Sequence, residues 1–385
     1  MARLGDVGNV ITGNTPKTSD LKNYVSNDIC FVKPSDIADG TVTYLNDSEF
    51  YISEYARPKA RVIPPQSVLV TCIGIIGKVA INNVECAFNQ QINAIIPDKS
   101  KCLSEYLAYA IQNKQAEMQD IANAPVVPIL NKTQFSDIEI KLPSLTEQAE
   151  IIGKLNAVTK LIALRKEQFA KLDQLVKSRF IELFGNLVIG DKVDTNKKRV
   201  GDIASVTKLA GFEFTKYIQY KEQGDIIMLR GLNCKKGRLV LDDVKWIDRE
   251  TSDLLPRSKL YYGDILMTYA GTIGDVAMVD ADDKYHLAPN VAKITLNDKK
   301  VCNPSFLMHL FMYTNDYIMT FASVVAQASI NMEKIRNFEY YFPPVETQNQ
   351  FAAFVEQIDK SKLAIQQSLD KLETLKKSLM QEYFG

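Results

Sequence analysis

The chain has 385 residues, 46 basic against 46 acidic side chains, a formal net charge of zero and 46% hydrophobic residues. That length suits two or three domains with proper cores, and the charge balance argues against a large basic surface, leaving any nucleic-acid contact to local charge or to a partner. No run approaches the ~18 apolar residues of a membrane span, and the opening MARLGDVGNV predicts no signal peptide.

Residues 1–141 read as a globular mixed α/β region. Short apolar runs (DICFVKPSDIADGTVTYL, SVLVTCIGIIGKVAI, FNQQINAIIP) alternate with Gly, Asn, Asp and Pro, the pattern of strands and turns. A helical pattern over Ser104–Ala122 follows, then the stretch VVPILNKTQFSDIEIKLP, read as a loop, a short helix and one strand. Residues 142–198 carry a long helix and the polar segment LVIGDKVDTNKKRV, read as a solvated linker, with a phosphate contact at Lys197-Lys198-Arg199 as the alternative. Residues 199–341 repeat the first region more loosely: GDILMTYAGTIGDVAM echoes SVLVTCIGIIGKVAI, and Asn331 falls on Asn131. Residues 342–385 are a second long helix.

The two helices are copies. LPSLTEQ…LFG aligns without a gap on FPPVETQ…YFG, placing Pro143 on Pro343, Gln148 on Gln348, Lys171-Leu172 on Lys371-Leu372 and Phe184-Gly185 on Phe384-Gly385. A repeat spanning half the chain is a duplicated half-molecule rather than a solenoid. Thr146 serves as the expected N-cap of the first copy, with Gly185 just past its end. Ile151, Leu155, Val158, Ile162, Phe169, Leu172 and Val176 step by fours and threes, and so do Phe351, Val355, Ile358, Ile365, Leu369, Leu372 and Leu379. Arg165, Lys362 and Lys376 are polar intruders. Such heptads predict coiled coil, and ~38 residues reach roughly 57 Å.

Catalytic patterns are missing. There is no phosphate loop, no Gly-x-Gly-x-x-Gly opening a helix, and no motif of an amino-methyltransferase. Six scattered cysteines (Cys30, Cys72, Cys86, Cys102, Cys234, Cys302) and two histidines (His286, His309) offer no metal spacing and suggest a reduced cytoplasmic chain. The recurrent Gly74-x-x-Gly77 and Gly271-x-x-Gly274 read as tight hairpin turns, in preference to phosphate-approaching loops. A protein that binds or organises is expected, not an enzyme. A coiled-coil adaptor with two protein-binding domains is the alternative.

FVKPSDI, SVLVTCIGIIGKVAI, FNQQINAII and the duplicated Pro-x-x-x-x-Gln entry to a heptad helix resemble the DNA specificity subunit of type I restriction-modification systems, over essentially the whole chain. The resemblance implies an α+β fold of two target-recognition domains separated by two long helices that pair as an antiparallel coiled coil, with pseudo-two-fold symmetry. It implies that each domain reads half of a bipartite double-stranded DNA target, while the helices set the spacer and dock two methyltransferase subunits. Restriction (motor) subunits complete the complex. S-adenosylmethionine, ATP and Mg belong on those partners, with no cofactor or metal in this chain. The circular layout further predicts residues 1–5 beside the end of the second helix.

Base reading in the major groove uses Arg and Lys for guanine, Asn and Gln for adenine. By residue type and loop position the candidates in the first domain are Lys17, Lys33, Ser35, Arg57, Lys59, Arg61, Asn89 and Gln90. In the second they are Lys208, Lys216, Arg230, Asn233, Lys235, Lys236 and Arg238. Lys33 and Arg230 match, each following a strand, and Arg230→Ala is expected to weaken one half-site only.

Overall fold

The computed structural model describes residues 1–122, 127–193, 195–323 and 328–385. Val126 of the expected loop and Asp194 of the expected linker lie outside the described residues. The chain forms two compact units, one of Met1–Lys166 with Gln366–Gly385 and one of Glu167–Ile365. Each unit holds one globular domain together with part of each long helix.

In the first unit, strands β1 (Gly8–Thr12), β2 (Ile29–Val32), β3 (Val42–Leu45), β4 (Tyr51–Ile52), β5 (Val62–Ile63), β6 (Val68–Thr71), β7 (Val79–Asn82), β8 (Cys86–Phe88) and β9 (Ile92–Pro97) form two sheets, ordered β1-β9-β6-β7-β3 and β4-β2-β8-β5. β6, β7 and β9 are buried almost throughout, as expected of strands covered on both faces. The β6–β7 hairpin turns at Gly74 and Gly77, both at positive φ. Thr71 closes it: its hydroxyl donates to the Ile75 carbonyl and accepts from the Lys78 amide at 3.0 Å. The second unit repeats this with Gly271, Gly274 and Thr268. These turns are hairpins, as their sequence suggests.

In the second unit β10 (Ala204–Lys208), β11 (Ile226–Leu229), β12 (Lys245–Ile247), β13 (Lys259–Leu260), β14 (Ile265–Thr268), β15 (Val276–Met278), β16 (Tyr285–Leu287) and β17 (Val291–Leu296) form sheets ordered β10-β17-β14-β15 and β12-β11-β16-β13. The strand order is that of the first unit, except that β3 has no counterpart in the larger sheet. The loose sequence repeat is therefore a true structural repeat. Lys197–Arg199, expected to be linker, is instead a strand paired antiparallel with Glu339–Tyr341. Ala2–Arg3 pairs with Glu139–Ile140 in the same way. Pairing satisfies backbone groups that a linker would leave to water.

The long helices run Leu145–Phe184 and Val345–Phe384, 40 residues each. The first is capped by Ser144 rather than Thr146: Ser144 Oγ accepts from the Glu147 amide at 3.3 Å, and the Glu147 carboxylate accepts from the Ser144 amide at 2.9 Å. Pairing is antiparallel within each unit. In the first, Lys166 meets Glu373 at 3.2 Å and Lys154 reaches the Tyr383 hydroxyl at 3.1 Å. In the second, Asp173 meets Lys362 at 2.6 Å, and the Phe180 and Phe351 ring centroids lie 5.3 Å apart. Of the seam residues, Leu155, Val158, Val176, Phe351, Val355, Ile358 and Leu369 are buried, whereas Ile151, Ile162, Phe169, Leu172, Ile365, Leu372 and Leu379 are half-buried. Buried Ile152, Phe180 and Phe184, outside the heptad steps, pack instead on the globular domains.

The duplicated glutamines explain the helix-entry motif. Gln148 is fully buried; it accepts from the Leu103 amide at 2.9 Å and donates to the carbonyls of Lys101 and Pro143. Gln348 accepts from the Asn303 amide at 2.9 Å and donates to the Pro343 carbonyl at 2.8 Å. Each amide clips the start of a long helix to the loop ahead of the domain's own helix, Ser104–Asn113 or Pro304–Tyr313. The Phe-Gly endings dock crosswise. The Phe384 ring lies 5.2 Å from that of Tyr106, and the Phe184 ring lies 5.0 Å from that of Phe306. Leu4 and Phe384 belong to one core cluster of the first unit, with Ala2 packed against it.

Candidate nucleic-acid interface

The first unit gathers its candidates at one sheet edge. β2 and β8 are parallel, with Val32 opposite Phe88, so their carboxyl ends deliver Lys33 and Asn89-Gln90 side by side. β5 runs antiparallel to β8, so its beginning, at Arg61, lies at that same edge. The loop leaving β1 is tied there as well. The Asn14 amide donates to the Phe88 carbonyl, and the Asn14 side chain donates to the Lys59 carbonyl and accepts from the Arg61 amide. Thr15 donates to Gln90 Oε1 at 2.7 Å. Gly13 makes the approach possible, because a Cβ there would stand 2.1 Å from the Asn89 carbonyl oxygen.

The individual side chains differ in what they have left to offer. Lys17 and Ser35 are exposed, and Lys33 lies over the Phe50 ring, 3.0 Å from its centroid. Arg57 is paired with Glu85 and Glu54, which raise its already high pKa. Lys59 bonds Asp20 at 2.9 Å and lies 3.6 Å from the Tyr55 centroid, and the pair raises the Lys59 pKa and lowers that of Asp20. Arg61 donates to the Thr12 carbonyl while remaining exposed. Asn89 is buried and donates to Gln91, so its amide organises the turn, whereas Gln90 is exposed.

In the second unit β11 and β16 are parallel, with Leu229 opposite Leu287, so Arg230 occupies the place of Lys33. It is committed: Arg230 Nη2 bonds the Asp243 carboxylate at 2.7 Å and the Asp243 carbonyl at 2.9 Å. Asn233 is fully buried; its amide donates to the carbonyls of Val240 and Asp243, and its oxygen accepts from the Arg230 amide. Both hold the loop, leaving Asn233 no donor for a base. Arg238 points to the long helix, 2.9 Å from Asp173 and 4.9 Å from the Phe169 centroid. Lys208, Lys216, Lys235 and Lys236 are exposed.

Arg257 was not among the candidates chosen by residue type. It precedes β13 closely and is exposed, at the edge where Lys59 precedes β5 in the first unit. The signal was present, since Pro58-Lys59 corresponds to Pro256-Arg257 within one residue of the strand register. Where the first unit presents Asn89-Gln90-Gln91 after β8, the second presents Ala288-Pro289-Asn290 after β16. One frame thus carries unlike chemistry in its two copies. Among the described residues no group of three or more His, Cys, Asp and Glu side chains is placed to hold a metal, and no helix is long and apolar enough to cross a membrane.

Comparison with known proteins follows the same duplication. The family described as type I restriction modification DNA specificity domain matches residues 1–174 and again 192–376. The type I restriction enzyme MjaIX specificity subunit of Methanocaldococcus jannaschii is 32% identical over 53% of this chain, which spans about half (51%) of that relative's length. The EcoBI specificity subunit of Escherichia coli is 22% identical over 99% of this chain and 84% of its own. In fold, the chain matches one from a structure concerning complex assembly and conformational transition of the type I R-M system, with TM-score 0.62, 16% identity and coverage of 99% and 96% of the two chains. The S subunit from M. genitalium matches with TM-score 0.55, 12% identity and coverage of 100% and 95%. A domain duplicated in strand order, each copy followed by a 40-residue helix and matched by the same family, means that this chain belongs to the type I restriction modification DNA specificity family.

Proposed function

We propose that the chain is the sequence-specificity subunit of a type I restriction-modification complex, acting in the cytoplasm without chemistry of its own. Residues 1–141 and 199–341 act as target-recognition domains, each reading one half of a bipartite duplex. The helices of 142–198 and 342–385 fix the distance between the halves and dock two methyltransferase subunits, with motor-nuclease subunits joining the full complex. S-adenosylmethionine, ATP and Mg are held by those partners. The observation that carries this reading is the repeated strand-end edge, which has one backbone frame and two different sets of polar loop residues. Frames of this kind let base-reading residues vary while their positions stay fixed.

Within each edge, the proposed duplex contacts are the side chains that remain available: Lys17, Lys33, Ser35, Arg61 and Gln90 in one domain, and Lys208, Lys216, Lys235, Lys236 and Arg257 in the other. Arg57, Lys59, Asn89, Arg230, Asn233 and Arg238 shape the loops or anchor them. Mapping N6-methyladenine in the host genome, with and without the gene, tests the proposal. Loss of one split motif with a fixed gap is expected. If every methylated motif survives although the protein is expressed, the reading fails.

A further inference from the structure

The side chains proposed for duplex contact are all polar, yet the major groove also displays one apolar group. This is the C5 methyl of thymine, which a protein recognises by bringing an apolar side chain against it. The second unit has such a side chain at its strand-end edge. Phe212 is 70% exposed, more than any other phenylalanine among the described residues.

Phe212 stands on the helix Gly211–Tyr217, which follows β10 after a short turn. Phe214, Tyr217 and Ile218 form the inner face of that segment and pack with Leu209, Met228 and Ala288. Phe212, Thr215 and Lys216, at i, i+3 and i+4, share the opposite face and are exposed. The helix is therefore amphipathic in the usual sense except at Phe212, where the solvent side carries an aromatic ring beside an ammonium.

Two contacts tie this helix to the edge where the strands end. Ala288, against which its inner face packs, is the first residue after β16. Lys208, the last residue of β10, has its ammonium 5.5 Å from the Tyr269 ring centroid, and the Tyr269 amide donates to the Asn290 carbonyl at 3.0 Å. The one carboxylate on the helix, Glu213, accepts from the Ala210 amide at 3.1 Å, whereas Lys208 and Lys216 remain exposed. A single exposed apolar side chain is ordinary on a protein surface. Here it is flanked by two lysines at an edge of cationic and amide groups, which complements a methyl group bordered by phosphates. In the first unit the loop leaving β1 is polar at this place, with Asn14 and Thr15 bonded to Lys59, Arg61 and Gln90.

We propose that Phe212 is a specificity-determining residue of the second domain, its ring lying against a thymine methyl in the half-site that this domain reads. The outer face of the helix Gly211–Tyr217 enters the major groove, whose width of ~12 Å admits an α-helix, and Lys216 meets an adjacent phosphate. The inference rests on the reading of this domain as a DNA-recognition domain. Burying one methyl against the ring strengthens binding roughly three- to fivefold.

The test uses the full chain assembled with its methyltransferase subunits, and a duplex carrying the motif found by methylation mapping. Affinity is measured at one fixed salt concentration for wild type, Phe212→Ala and Phe212→Leu. Single thymines are replaced by deoxyuridine, a change that removes only the methyl. In wild type, one such position within a single half-site is expected to lower affinity about three- to fivefold. Phe212→Ala should bind the thymine duplex more weakly by about that factor and no longer distinguish the two bases there, whereas Phe212→Leu should keep part of the distinction. Deoxyuridine in the other half-site should act alike on all three proteins. The proposal is overturned if Phe212→Ala keeps every deoxyuridine sensitivity of wild type, or if no thymine is methyl-sensitive in wild type. It is also overturned if the variant loses affinity equally for motif and scrambled duplexes, as a general backbone contact or a ring wedged between base steps would give. Failure of the underlying reading has a different signature: the wild-type complex would bind motif and scrambled duplexes equally, and the proposal would fall with it.

Discussion

At the scale of single residues, the strongest constraints are buried polar groups whose hydrogen bonds are already committed. Gln148, itself fully buried, satisfies one backbone amide and two carbonyls. Its replacement by Ala is expected to destabilise the chain by roughly 2–3 kcal/mol in urea unfolding, whereas Glu150→Ala, at an exposed position of the same helix, should change stability by less than about 0.5 kcal/mol. His309 supplies a pH dependence. Burial against Phe351 and Tyr313 lowers its pKa from 6.5 to about 4, despite its bond to the Ser305 carbonyl. Between those values the unfolded chain binds a proton that the folded chain refuses. Stability from this residue is therefore full above pH 6.5 and falls as pH drops toward 4, by up to about 3 kcal/mol. Denaturation midpoints of wild type and His309→Phe, compared across that window, should shift relative to each other against wild type as the pH falls; a constant difference would acquit the histidine. The proposed reading residues behave differently: Arg257→Ala should weaken one half-site and leave the other intact in methylation mapping. Equal loss at both would assign Arg257 a general role in folding or assembly.

At the scale of elements, the helix ends complete the core of each unit. Phe180 is buried among Phe184, Phe306, Tyr313 and Phe351, so Phe180→Ala should cost about 3–5 kcal/mol, measured as a shift of the unfolding midpoint. The helix pair is also clamped unequally. Asp173 holds both Arg238 and the buried Lys362, whereas its counterpart Glu373 holds exposed Lys166. Asp173→Ala should accordingly destabilise by roughly 1–3 kcal/mol, since Lys362 would keep, among the described residues, Asp359 at 3.6 Å, while Glu373→Ala should cost less than about 1 kcal/mol. Comparable losses from the two variants would contradict that account. The helices themselves were readable from heptads, and their Phe-Gly ends from the repeat. That Phe180 and Phe184 leave the seam to fill the domain core was not readable, because a heptad shows which face is apolar but not what covers it.

At the scale of the whole molecule, both long helices pass from one compact unit to the other, at Lys166/Glu167 and Ile365/Gln366. Matched insertions of one heptad at these two places leave each unit's own helix contacts in register. The expected outcome is a methylated motif with a longer gap and unchanged half-sites; altered half-sites would mean that the helices take part in reading. The amino-acid sequence by itself determined the duplication, the hairpins and the helices, because these depend on local periodicity, glycine placement and self-similarity. It also marked Gln148 and Gln348 without saying why. Only the tertiary structure decided which polar side chains are spent. Arg230, Asn233 and Arg238 looked like base readers by type and position, yet each is bound to a partner beyond its own turn: Asp243, Val240 or Asp173. Hydrogen-bond partners are fixed by which strands, loops and helices come together in space, and that information is in the packing of the whole chain rather than in any stretch of it.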